Sequence, residues 1–511
     1  MPNQELENSE PMDLSLWIAD SKFDGYIENL ANRLIYDTSI SDSVKKESTI
    51  TEQLKIIILN LYSVYLKDKK KYVGFSRDKL AYSKIPKRYN KVGLSFKSVG
   101  VIDALIEMTL IEFVKGVNYP KLKRTSRIRA TELLINEIVK EFKITPSMIQ
   151  LIRNSPCLIM REKNDDSKNI DKGFKDTKKT NEIRNNLIEY NNLIRRSHID
   201  IPNFPLHGIP QKSGNKFRID FESDTTKFTR RIFNNDWKSG GRFYGCWWQN
   251  IPHKDYPWRK YIRINNKPTI EIDYSGFHVV MLYAKKKIDY WKVINKDAYD
   301  LSDYGYVMDK RLRNFLKQLF LTILNSKDFK QAKQSILEQI NISKKNEYGW
   351  IKKENPKDKA VDNWVRKIIK DFSDYHNPIK RYFYSGVGIK LQYVDSLMAE
   401  KIINYYTQLE IPVLCVHDSF IIQSQYGLGD MEIGENGEIS LEWNMWCFYQ
   451  EIIKKEFKSI SFPKTKFIEC FDRPDSIVKF NKDKITSNYW KRVKNHNKRN
   501  YVINWYESES K

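Results

Sequence analysis

Two aspartates stand where apolar stretches of the chain end. Asp273 closes Thr269-Ile270-Glu271-Ile272-Asp273, and Asp418 follows Pro412-Val413-Leu414-Cys415-Val416-His417. Short apolar runs of this kind read as strands, so each carboxylate is expected at a strand tip. Two carboxylates so placed are a ligand set for magnesium, which takes hard oxygen donors and shares them with substrate phosphates. Two such ions about 4 Å apart activate an attacking hydroxyl and stabilise a leaving pyrophosphate. An Asp at a strand end is, taken alone, more often a turn residue or a helix cap. The neighbouring segments therefore decide.

The next chemical feature is cationic. Arg313 and Lys317 lie in Arg313-Asn314-Phe315-Leu316-Lys317, one helical turn apart, so both project from one face. A basic pair on a helix is commonly a solvated face. It also suits a triphosphate, whose attacked phosphate gathers charge that must be neutralised in the transition state. Three more segments complete the set: Gly240-Gly241-Arg242, Gln249-Asn250-Ile251-Pro252 and Val416-His417-Asp418-Ser419.

In this order, together with Asp273-Tyr274-Ser275, these segments resemble the polymerase core of family A DNA polymerases, the bacterial DNA polymerase I type. The resemblance covers roughly residues 225–425. It implies that Asp273 and Asp418 hold two magnesium ions, with manganese as a substitute, and that the Tyr274 main-chain carbonyl is a further ligand. Arg313 and Lys317 would grip the triphosphate on a fingers helix, and Lys317 would give a proton to the leaving pyrophosphate. Arg242 and Gln249 would touch the primer–template minor groove. Gln392, in Lys390-Leu391-Gln392, would lie on a helix against the duplex, and His417 beside the primer 3′ end.

The departures from the family are informative. The aromatic and the Tyr-Gly pair that normally follow the Lys are replaced by Leu321, Asn325 and Ser326, so contacts to the nascent base pair differ. His417-Asp418-Ser419 is the form found in single-subunit phage-type RNA polymerases. The family's sugar-excluding Glu, five residues after the first Asp, is His278 here; imidazole can block a 2′-hydroxyl or hydrogen-bond to it. A different alignment puts Gly276 at that gate, which leaves room for ribose.

Upstream, residues 51–66 carry helical apolar spacing at Leu54, Ile57, Ile58, Leu61 and Val64. A Ser-led helix start at 76–81, a helix over 94–108, and strands within 110–119 and 125–131 follow. That layout resembles a winged helix-turn-helix. It would send Lys97 and Ser98 toward a groove and set Arg124, Arg127 and Arg129 near phosphates.

The domain scheme expected is an N-terminal segment over 1–50, this module over 51–160 and a polar linker over 161–181. A thumb-like region follows over 182–240, with a helix from about Glu182 to Arg196, then palm and fingers over 241–470. A basic tail, 471–511, would touch nucleic acid or form a mobile arm. The Lys- and Asn-rich stretch 341–369 reads as a solvated insertion.

Composition agrees with a polyanionic partner. Lys and Arg number 88 against 64 Asp and Glu, a formal charge of +24, which attracts nucleic acid in a salt-dependent way. Cysteines 157, 246, 415, 447 and 470 have no metal spacing and suggest reduced thiols. The first residues have no signal-peptide pattern and no run reaches membrane-spanning length, so a cytoplasmic protein is expected.

The fold expected is α+β: a right-hand polymerase with palm, fingers and a short thumb, preceded by the winged helix-turn-helix-like helical module. The function expected is a DNA-directed DNA polymerase without proofreading exonuclease, since no space remains for that domain. Its partners would be DNA primer–template or another nucleic acid and nucleoside triphosphates, with no membrane. A single-subunit RNA polymerase or primase, and a catalytically silent DNA-binding initiator of a mobile element, are the alternatives.

Overall fold

The computed structural model describes residues 6–497 apart from 7–8, 19, 43, 120–121, 142, 144–147, 153–154, 164–168, 206–207, 211–215, 218, 220, 222–223, 253–256, 343–347, 356, 428–439 and 471–488. Helices and several small sheets give an α+β arrangement. Two compact units interleave in sequence. One is Met1–Arg231, Tyr244–Pro268 and Ser476–Lys511; the other is Ile232–Phe243 and Thr269–Asp475.

The first unit is organised on the helix Glu47–Lys67. Its residues Ile50, Leu54, Ile57, Ile58 and Leu61 are buried, as their spacing demands. A strand Val73–Phe75, a short helix Lys79–Ser83, a helix Ser98–Glu107 and strands Ile111–Val114 and Ser126–Ala130 follow. Ser126–Ala130 pairs antiparallel with both of the other strands. Ile128 is buried in it, and Arg127 and Arg129 alternate to the other face. The expected helices and strands of this region all form, with Val73–Phe75 added.

The polar stretch after it contains a hairpin, Leu158–Lys163 against Asn169–Lys172. The helix expected from Glu182 starts earlier, at Lys178. Thr177 caps it in a capping box with Thr180, and Ile183, Leu187, Tyr190 and Leu193 form its buried stripe. Of the basic tail, residues 489–497 are helical and docked within this unit. The Tyr489 hydroxyl donates to Asn266 Oδ1 at 2.6 Å, and Arg492 donates to both oxygens of the fully buried Asp200 at 2.6 and 2.8 Å. This part of the tail is therefore no mobile arm. Residues 471–488 and 498–511 lie outside the described residues.

In the second unit the sheet has the spatial order Thr465–Cys470, Lys267–Tyr274, Ser419–Gln423, Leu414–Val416, every pair antiparallel. The helices Phe277–Lys285, Lys310–Asn325, Asp358–Tyr375, Gly388–Gln408 and Leu441–Phe457 belong to this unit. Asp358–Tyr375 falls in the stretch read as a solvated insertion, and that reading is corrected. Val361, Val365, Ile368 and Ile369 are buried at i, i+4, i+7 and i+8, so only the opposite, Lys-rich face is solvated.

Buried titratable chemistry ties this helical layer to the loop that leads to Tyr299. His376 has no exposed surface. Its Nε2 lies 2.9 Å from the Ala298 carbonyl, and the Tyr283 hydroxyl lies 3.2 Å from its Nδ1. Nε2 therefore carries the proton and Nδ1 accepts. Burial holds this imidazole down from 6.5 to about 4. The unfolded chain binds a proton that the folded chain refuses, so stability falls as pH drops from about 6.5 to about 4. The loss is on the order of 3 kcal/mol. Denaturant titrations at stepped pH are expected to show this slope, and His376→Gln should flatten it in that window; an unchanged slope in the variant would assign the acid sensitivity elsewhere.

Candidate active site: strand-tip carboxylates and a buried Arg–Asp–His cluster

Asp273 is the cross-strand partner of Ser419, the residue after Asp418. Val416 and Ser419 are partners in turn, so His417 and Asp418 form a two-residue hairpin loop. The register thus sets both aspartates at one edge of the sheet, one step apart, with their backbones roughly 5–7 Å from each other. Both are half-buried. His417 takes the left-handed conformation, φ 61°, that such loops usually give to Gly. That conformation costs about 1 kcal/mol for a side-chain-bearing residue and turns the loop tightly enough to present Asp418 beside Asp273.

The strand below the tip is pinned by side chains. The Ser419 hydroxyl donates to Glu271 Oε1 at 2.7 Å. The Tyr274 ring is turned into the core, stacked 4.3 Å from Phe277, with its hydroxyl donating to the Met445 carbonyl at 2.7 Å. Only the main-chain carbonyl of Tyr274 is left for the ligand role expected of it. Among the described residues no group of three or more His, Cys, Asp or Glu is arranged to hold a metal. The donor set here is two half-buried carboxylates and backbone oxygen, all hard. That set fits magnesium, which keeps waters and substrate oxygens in its shell, better than a metal wanting a closed side-chain cage.

Arg313 belongs to the same electrostatic neighbourhood. Its Nε and Nη2 donate to Asp297 Oδ2 at 2.9 and 2.7 Å, and its guanidinium carbon lies 5.5 Å from the Tyr299 ring centre. Burial pushes the Tyr299 phenol well up; the Asp418 charge adds to this, Arg313 opposes it, and Asp297 and Asp273 contribute less. Lys317, one turn along the helix, is exposed and forms no ion pair among the described residues. Leu321 is half-buried and Asn325 exposed on the same face. A Cβ on Gly388 would lie 2.4 Å from the Asn325 amide oxygen, so Asn325 packs on the start of the helix Gly388–Gln408.

Arg242 and His278 meet at a residue absent from the sequence reading. Arg242 Nε lies 3.1 and 3.0 Å from the two oxygens of Asp395, Arg242 Nη2 also donates to Oδ2, and His278 Nε2 lies 2.9 Å from Oδ2. The Asp395 carboxylate is 1% exposed. The signal was legible: an acidic residue between Val394 and Met398 on a buried helix face must have a partner. Gln392, three residues earlier, is half-buried on that helix. Asp297 and Tyr299 were missed as well, and nothing local in the sequence singles them out.

The remaining residues fall in the first unit. Gln249 Oε1 accepts from the Gly245 main chain at 3.1 Å and so closes its own turn. Lys97 is exposed at the start of the helix Ser98–Glu107. Ser98 is fully buried, which corrects its expected direction toward a groove. The exposed residues of that helix are Asp103, which binds Arg77, and Glu107, which accepts from Ser39. Arg127 is bound to Thr125 and the Leu6 carbonyl, and Arg129 to Glu112 and the Lys70 carbonyl. Arg124 is half-buried on the small hairpin Val117–Tyr119 and Leu122–Arg124. No family model matches the chain, and no curated protein matches it. The functional reading rests on the site's own residues.

The backbone just before Arg242 has no room for a side chain. Gly241 has φ 79°, and a Cβ there would lie 2.8 Å from both Phe233 Cε1 and Ser396 Oγ. Gly241→Ala is expected to destabilise the protein by on the order of 2–3 kcal/mol in denaturant titration. A variant within about 0.5 kcal/mol of the wild type would show that the turn adapts without cost.

Proposed function

We propose that this chain is a template-directed nucleotidyltransferase, a DNA-directed DNA polymerase of the family A kind. The observation that carries the reading is the register that puts Asp418 beside Asp273, with Arg313 near the Tyr299 ring as a cation of the same unit. A strand tip, a hairpin tip and a cationic helix in one unit suit phosphoryl transfer from a triphosphate. The finer architecture of the proposal is a right hand, with the Asp273 strand and the hairpin as palm, Lys310–Asn325 as fingers helix and Lys178–Arg196 as a short thumb.

Asp273, Asp418 and the Tyr274 carbonyl would hold two magnesium ions, which when bound activate the primer 3′-hydroxyl and stabilise the leaving pyrophosphate. Arg313 exchanges Asp297 for the triphosphate, because a polyphosphate outcompetes a single carboxylate for a guanidinium. Lys317, exposed on the same helix face, adds a second cation and gives a proton to the pyrophosphate. Arg242 and Gln392 face the primer–template, His278 the incoming sugar, and His417 the primer end.

The helix–strand–helix–helix–hairpin order of the first unit supports a winged-helix reading with a phosphate contact by Lys97. The acidic exposed face of its last helix argues against base readout by that helix.

The reaction is tested by primer extension with labelled nucleotides. Asp273→Asn and Asp418→Asn are each expected to cut incorporation by more than about a hundredfold while primer–template binding persists. A variant that keeps a tenth of the wild-type rate would remove that residue from the mechanism. Ribonucleotide incorporation by the wild type would favour the RNA polymerase reading that His417-Asp418-Ser419 supports. No incorporation with tight duplex binding would favour the silent initiator.

The module is tested by salt titration of duplex binding. Replacing Lys97 by Gln should lower the slope of log affinity against log salt by about 1. Replacing Arg127 and Arg129 should lower thermal stability and leave the slope alone, since their guanidinium groups are already engaged. The reverse pattern would locate the phosphate contacts on the wing strand instead.

A further inference from the structure

We propose that Asp395 is a positioning residue for sugar selection, acting through His278 without touching the nucleotide; this rests on the nucleotidyltransferase reading. Three elements distant in sequence meet at its carboxylate. Arg242 comes from the strand Gly240–Tyr244, His278 from the first turn of the helix after the Asp273 strand, and Asp395 from the middle of the helix Gly388–Gln408. At 1% exposure this carboxylate has no access to water. An unpaired charge there would cost several kcal/mol. Its place on an otherwise apolar helix face is thus tied to the two cationic or proton-bearing groups it holds.

The contacts also fix the imidazole. His278 Nε2 is 2.9 Å from Asp395 Oδ2 and 3.2 Å from Arg242 Nη2. The carboxylate can only accept, and the guanidinium can only donate. A bare Nε2 would set its lone pair against a carboxylate oxygen, so the proton sits on Nε2 and is donated to Asp395. The ring is then locked in plane and in tautomer, and Nδ1 is the ring atom left to meet a neighbouring group. Such a group, held by a buried charge, discriminates a hydroxyl more sharply than a side chain free to swing away. Arg242 is fixed by the same carboxylate through both its oxygens. One buried residue thus sets the geometry of a nucleotide contact and a duplex contact together.

The test is a double-mutant cycle read in the ratio of deoxynucleotide to ribonucleotide incorporation. Asp395→Asn is expected to change that ratio roughly tenfold, by as much as His278→Gln does. The double variant should match His278→Gln alone, because Asp395 acts through the ring. Additive effects in the double variant, or an Asp395→Asn ratio equal to wild type, would overturn the proposal. Asp395→Glu, which keeps the charge, should restore part of the ratio if the first variant folds poorly. Nitrogen NMR of histidine-labelled protein reads the same claim without catalysis. The His278 signal, assigned by its loss in His278→Gln, should show the Nε2–H form in the wild type and lose it in Asp395→Asn. A wild type that extends no primer overturns the polymerase reading and the selectivity claim with it. The NMR signature then still decides whether Asp395 orients the ring.

Discussion

The antiparallel register of two strands is the constraint on which the candidate site depends. Asp273 faces Ser419 and not a neighbour, and the loop between Val416 and Ser419 has only two residues. A slip of one residue would send Asp273 to the opposite face of the sheet and part it from Asp418. The register is held from both sides. The strand Thr465–Cys470 pairs on the far edge, and the Ser419–Glu271 hydrogen bond ties the two central strands at the level just below the tip. His417 accepts a left-handed backbone at the apex, a local cost that the ladder on either side covers.

Around that register the site is arranged by paired polar and charged groups more than by apolar packing. Asp395 holds Arg242 and His278; Asp297 holds Arg313; His376 holds the carbonyl just before Tyr299. Removing one partner from such a group leaves a charge or dipole unpaired and costs more than the contact was worth. The groups that would act on substrate are therefore oriented before any substrate arrives, which is the form of electrostatic preorganisation that phosphoryl transfer requires. The half-exposed Arg313–Asp297 pair is the weaker member, as suits a cation that must change partners.

Much of this was legible in the sequence, and the reasons differ by element. The strands that lead to Asp273 and Asp418 are short apolar runs with a polar break, so their tips could be placed from pattern alone. The helices Glu47–Lys67 and Lys178–Arg196 carry clean apolar stripes, and the Thr177 cap that sets the start of the second was readable but unread. The helix Asp358–Tyr375 was obscured because Lys and Asn dominate its composition while its apolar residues keep a 3.6-residue period. Asp395 could have been suspected from its apolar neighbours, but not its partners, since Arg242 and His278 are brought to it only by tertiary folding. The engagement of Arg127 and Arg129 by main-chain, hydroxyl and carboxylate oxygens, and of Gln249 by a main-chain N–H, was likewise invisible. A basic or amide side chain looks the same in sequence whether it is spent on its own fold or free for a ligand.

The central claim is that the Asp273 strand tip and the Asp418 hairpin form one divalent-cation site. The most direct measurement is anomalous diffraction from crystals of the wild-type protein grown with manganese and a non-hydrolysable nucleoside triphosphate. The expected result is manganese density within about 2.2 Å of oxygens from both Asp273 and Asp418, with the triphosphate against Arg313 in place of Asp297. Manganese and triphosphate bound elsewhere, with both carboxylates unliganded at saturating concentrations, would contradict the claim.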